Sequence, residues 1–174
     1  VNGGNIEGQG EGSPVIVNEM NSIANIKGGT IKGTDCIAIY NRNEVNINIS
    51  GGTIQSTNTN TIWNVEDNIT LTITGGTIIG TSESTPVIYN NTGNVTISGN
   101  TVVTGNNICA INNNDGIINL DGGTFTSTGT SSNATTVINS GTGTIKINNS
   151  TISSDKSAIV NQASGRIEIE NSQV

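Results

Sequence analysis

Histidine is absent from this chain, and cations are scarce: its 174 residues hold six Lys plus Arg against 13 Asp plus Glu, a formal net charge of −7. Without histidine the commonest general base and metal ligand are missing, so neither a Ser-His-Asp type of triad nor a transition-metal centre is expected. So few cations argue against nucleic acid or an anionic membrane surface as partner, because both are recognised by clustered Lys and Arg. No apolar run approaches the roughly 20 residues of a membrane-spanning helix, so no membrane insertion is expected. Aromatic residues make up 2% and hydrophobic residues 32% of the chain, which is lean for a conventional globular core. Only 11% of residues are charged. The remainder is dominated by Asn, Thr, Ser and Gly, a neutral-polar exterior that points to an extracellular setting, on a cell surface or secreted.

What the chain does have is a repeat. The turn Gly-Gly-Thr-Ile, or a close relative of it, begins at Gly3, Gly28, Gly51, Gly75, Gly99, Gly122 and Asn149, with a fragment at Asn171. A period of about 24 residues is the mark of a solenoid, in which each repeat stacks its few inward side chains on those of its neighbours. Residues 1–174 therefore read as a single solenoid domain. Val1 falls inside a repeat and Val174 just after a new turn, so a segment of a longer or processed protein is expected.

Each period carries three short apolar alternations. The first follows the Gly turn and lines up Ile6, Ile31, Ile54, Ile78, Val102, Phe125 and Ile152. The third precedes the next turn with strict period-two patterning, as in Leu71-Thr72-Ile73-Thr74 and Ile145-Lys146-Ile147-Asn148, the signature of a half-buried strand. In that register Lys146 falls beside Glu168 and Glu7 beside Lys32, the opposite-charge neighbours that a sheet face favours. The second ends on an Asn in every coil: Asn18, Asn41, Asn64, Asn90, Asn112, Asn139 and Asn161. Asn tolerates tight corners and both donates and accepts, so these residues are expected to form a structural Asn ladder. The fold class expected is all-β: a right-handed parallel β-helix of about seven coils, three short strands per coil. Coils spaced at the ~4.8 Å strand separation put Cys36 and Cys109, three coils apart, beyond disulfide reach; both read as free thiols.

The VTISGNTV and ITGGTI turns and the Ile-x-Asn corners resemble the pectate-lyase-like β-helices, and especially the repeat-rich surface and carbohydrate-binding β-helix proteins of low-GC bacteria. The resemblance spans nearly the whole chain and implies a bacterial surface protein with a glycan as partner. Its motifs are structural.

The candidate binding residues stand immediately before the ladder Asn, where the column reads Val17, Tyr40, Trp63, Tyr89, Ile111, Ile138 and Val160. The only Trp and both Tyr residues thus share one column on three consecutive coils. Facing outward, they form a flat strip able to stack on sugar rings. The preceding column, Ile16, Ile39, Ile62, Ile88, Ala110, Val137 and Ile159, is apolar as well, so a buried internal stack is the competing reading. The Thr column Thr30, Thr53, Thr77, Thr101, Thr124 and Thr151 invites comparison with ice-binding solenoids, but the rank two residues on is irregular. Acidic residues are scattered: Glu66-Asp67 is adjacent at a corner, Glu168 and Glu170 share one face, and Asp121 lies in the column of Glu170. None converges with Arg42 or Arg166, so no catalytic residues, metal or cofactor is expected.

The sequence thus favours a non-catalytic extracellular adhesion module that binds polysaccharide or a host or cell-surface glycan through Tyr40, Trp63 and Tyr89. A purely structural stalk or spacer is the alternative, and a polysaccharide lyase or hydrolase the third reading. Self-association, end to end or side by side, is open to a solenoid with bare terminal strands.

Overall fold

The computed structural model describes residues 1–174. The chain forms three parallel sheets of seven strands each and no helix, so every coil contributes one strand to each sheet. The first sheet stacks Asn5–Gln9, Thr30–Thr34, Thr53–Thr57, Thr77–Thr81, Val102–Asn106, Thr124–Thr128 and Thr151–Ser154. The second stacks three-residue strands: Ile16–Asn18, Ile39–Asn41, Ile62–Asn64, Ile88–Asn90, Ile111–Asn113, Val137–Asn139 and Ile159–Asn161. The third stacks Ile23–Ile26, Asn46–Ile49, Thr70–Ile73, Asn94–Ser98, Ile117–Asp121, Thr144–Asn148 and Arg166–Glu170. All pairing is between neighbouring coils, the arrangement expected of a β-solenoid.

Stacking explains how so lean a composition folds. Twenty-eight buried residues, nearly all Ile, Val and Leu, join into one cluster along the axis, because each inner side chain sits on an equivalent one above and below it. The Gly-Gly corner permits that close stacking. Gly52 has φ +93°, and a Cβ built on it would lie 2.8 Å from the carbonyl oxygen of Gly29 in the coil before, so the corner needs both the left-handed backbone and the missing side chain.

The fifth coil departs from the expected register twice. Thr77 pairs with Val102 and Ile78 with Val103, so Val103, not Val102, continues the inner column that runs on through Phe125 and Ile152. The corner there is one residue longer. Thr101 folds into it, fully buried, and its hydroxyl donates to the Ser98 carbonyl at 2.8 Å. A valine consequently interrupts the threonine rank, which weakens the comparison with ice-binding lattices. In the second sheet Asn90 pairs with Asn113, and Asn113 with Asn139; the ladder residue is Asn113, and Asn112 takes the place before it that Ile111 was expected to hold. The physical reason is burial: this register puts Ile111 inside with no exposed surface, whereas a one-residue slip would turn it to solvent.

The ladder itself is continuous over most of the solenoid. The Nδ2 of each Asn donates to the Oδ1 of the next: Asn41 to Asn64 at 2.7 Å, Asn64 to Asn90 at 3.4 Å, Asn90 to Asn113 at 2.9 Å, and Asn113 to Asn139 and Asn139 to Asn161 at 3.2 Å each. From Asn90 onward each also donates to a corner glycine carbonyl, of Gly93, Gly116, Gly143 and Gly165. The ladder is open between the first two coils, where Asn18 Nδ2 and Asn41 Oδ1 are buried without partners.

Outward contacts on the third sheet follow the expected register: Lys146 Nζ lies 3.8 Å from Glu168, which Arg166 also contacts. Glu7 and Lys32 are register partners on the first sheet without closing an ion pair. Cys36 and Cys109 are free and buried, and burial pushes the Cys109 thiol well above its ordinary value, disfavouring the thiolate. At the corner after the second sheet, Asp115 Oδ1 accepts from the Thr142 backbone N–H at 2.8 Å and its hydroxyl at 2.7 Å. These bonds hold its carboxyl below the usual range. Its stabilising contribution is therefore complete above the ordinary aspartate pKa and lost as pH falls through the depressed value. Asp115→Asn should melt below the wild type at neutral pH, with the two melting temperatures converging in acid; a constant gap across a pH series of melts would contradict this.

Candidate functional site

In each three-residue strand of the second sheet the outer two residues point inward. Ile39, Ile62 and Ile88 and their ladder partners Asn41, Asn64 and Asn90 are fully buried. Since side chains alternate along a strand, the residue between them must face out. Tyr40, Trp63 and Tyr89 occupy that position, in register with one another, and each is half-buried. The competing internal stack is thus not what the backbone builds.

The strip is not flat, however. Tyr40 and Trp63 meet edge to face, with centroids 5.5 Å apart and planes at 73°, and Trp63 and Tyr89 are tilted at 45° with centroids 6.2 Å apart. Parallel strands bring side chains about 4.8 Å apart, and aromatic rings at that separation avoid a face-to-face sandwich. The Trp63 indole N–H is buried against protein and donates to nothing, so in this arrangement the ring offers its surface rather than its polar edge.

Beside this column runs an open groove of about 490 Å³. One wall is the outward column Val17, Tyr40 and Trp63; the other comes from the corner before the second sheet in the same three coils, with Pro14, Asp35 and Thr59. Arg42 closes one edge. Its guanidinium carbon lies 5.9 Å from the centre of the Tyr40 ring, within cation–π range, and its Nε and Nη2 both lie 2.6 Å from Glu19 Oε2. Tyr89 is one coil beyond the groove and extends its aromatic wall.

Arg42, Glu19 and Asp35 complete the site, and the sequence reading did not single them out in it. A signal existed: Glu19 follows Asn18 as Arg42 follows Asn41, so the register that pairs the ladder also pairs these opposite charges.

The other acidic residues do not assemble. Glu66 and Asp67 line a separate polar hollow at the opposite corner with Glu44, Asn43 and Met20, where Glu66 Oε2 accepts from the Asn43 backbone N–H at 3.1 Å. Glu168 is taken up by Lys146 and Arg166, and Asp121 accepts from Asn148 and Asn149. No three Asp, Glu or Cys side chains are grouped as a metal-ligand set.

No protein-family model matches this chain, and neither does any curated protein or any solved structure. A functional reading therefore rests on the groove itself.

Proposed function

We propose that this solenoid is a non-catalytic, extracellular glycan-binding module that holds a polysaccharide against Tyr40, Trp63 and Tyr89. The observation that carries the reading is the outward, half-buried placement of all three rings in one column, two of which, Tyr40 and Trp63, line an open groove. Aromatic surface along the wall of a trough with a few polar groups at its rim suits sugars, whose faces carry C–H groups and whose edges carry hydroxyls. The right-handedness general to parallel crossover connections supports a right-handed coil like that of the pectate-lyase-like helices its turns resemble.

A second reading has its own support. The mutual contacts of the three rings and the buried indole N–H also suit a spacer, in which the aromatics only stiffen three adjacent coils.

Titration of the single tryptophan's fluorescence with a panel of plant and microbial polysaccharides separates the two. On the binding reading, one polysaccharide shifts the emission and protects Trp63 from iodide quenching, and Trp63→Ala weakens binding about tenfold or more, the loss of roughly 1.4 kcal/mol of stacking. A signal unresponsive to every polysaccharide, with none retained by the wild type in affinity gels, would leave the spacer.

A further inference from the structure

Resting on the glycan reading, we infer that the groove takes an uncharged glycan strand lying along the solenoid axis, and that the Glu19–Arg42 pair is what denies it carboxylated sugars. The direction follows from where the walls originate. Val17, Tyr40 and Trp63 are register equivalents in successive coils, and Pro14, Asp35 and Thr59 precede the same strands. The trough therefore advances one coil at a time, about 4.8 Å per step, a rise close to what one pyranose unit adds to an extended chain.

The charge argument decides the class. Arg42 is the groove's one cation, and a guanidinium is the natural receptor for a uronate carboxylate. Here two of its nitrogens are already committed to Glu19 Oε2. Asp35 puts a negative charge on the wall itself, with Oδ1 accepting from Asn58 Nδ2. An anionic strand would meet the Asp35 carboxylate on the wall and a cation already neutralised by Glu19, on a chain of net charge −7. A neutral strand meets none of this repulsion. It gains the aromatic wall, with the Thr59 hydroxyl and the free Asp35 Oδ2 as polar contacts and Arg42 at the rim beside Tyr40.

The test is affinity electrophoresis and calorimetry of the full chain with galactomannan and a neutral β-glucan on one side and polygalacturonate on the other, at low and high salt. Expected is retention by a neutral polymer, little changed by salt, and none by polygalacturonate. Glu19→Gln frees the guanidinium and should raise affinity for polygalacturonate about tenfold at low salt, a gain that salt erases and that adding Arg42→Gln abolishes. Circular dichroism melts of each variant confirm the fold. Wild-type preference for polygalacturonate, or no gain in Glu19→Gln, would overturn this inference and leave the glycan reading standing. Retention by no polymer at all would overturn both.

Discussion

Asn113→Ala is expected to destabilise the solenoid by about 2–3 kcal/mol, whereas Asn112→Ala, one residue earlier in a run of three asparagines, should cost about 1 kcal/mol or less. The Asn113 amide accepts from Asn90 and donates to Asn139, to the Gly116 carbonyl at 2.8 Å and, at 3.5 Å, to the Thr144 carbonyl. Truncation leaves the Asn139 Oδ1 without its donor in a buried corner, and such an orphan costs about 1–3 kcal/mol, whereas the Gly116 carbonyl keeps the Thr144 backbone N–H at 3.0 Å. Asn90 keeps the Gly93 carbonyl as acceptor, which limits the damage on that side. Asn112 instead faces outward, and its one side-chain bond comes from Ser140, whose hydroxyl can turn to the Asn113 carbonyl. Urea denaturation of the two variants measures the difference. Equal costs, or a larger cost at Asn112, would mean that the ladder runs through the other asparagine and that the register of the fifth coil is wrong.

The same residues show where sequence reasoning succeeds and where it stops. Outside the fifth coil the register is legible, because the turn, Gly-Gly or Asn149-Ser150 in its place, and the alternating third strand each fix it independently and agree. In the fifth coil both anchors are degenerate. Val102 and Val103 are both apolar, as are Ala110 and Ile111, and Asn112, Asn113 and Asn114 are identical. Composition offers no preference there, and the choice falls to which arrangement buries Ile111 and gives the Thr101 hydroxyl a carbonyl. The orientation of the aromatic column has a cleaner explanation. Three-residue strands with apolar residues at two successive positions carry no inside–outside signal of their own. The ladder supplies it: an asparagine that bonds to its copies above and below must point inward, and the residue before it must then point out. Reading the asparagine as a corner residue rather than an interior one is what left the column ambiguous. Ring tilt lies deeper still, since it depends on how a Trp and two Tyr fit a fixed strand spacing.

Phe125 carries the largest single burden in the core, and Phe125→Ala should cost about 3–5 kcal/mol. Its ring is fully buried between Val103 and Ile152 in the inner column of the first sheet, and it reaches under the corner, where a Cβ on Gly123 would lie 3.3 Å from the ring tip. Large-to-small substitutions are least costly where the surroundings can collapse into the void. Here they cannot readily do so, because the coils above and below are pinned by sheet hydrogen bonds on three sides and by the Asn113–Asn139 contact, so the cost should lie toward the upper end. The damage should also be local. In a solenoid, stability is the sum of each coil's own terms and those with its nearest neighbours, and the coils before the fifth share no contact with the phenyl ring's column position except through Val103. Hydrogen exchange of Phe125→Ala is therefore expected to rise across residues 102–174 while the strands from Thr30 to Thr81 keep their protection. In urea a shallow first transition should precede the main one. A single transition with exchange raised uniformly along the chain would show instead that all seven coils unfold as one unit, with the continuous core rather than the nearest-neighbour contacts setting the cooperativity.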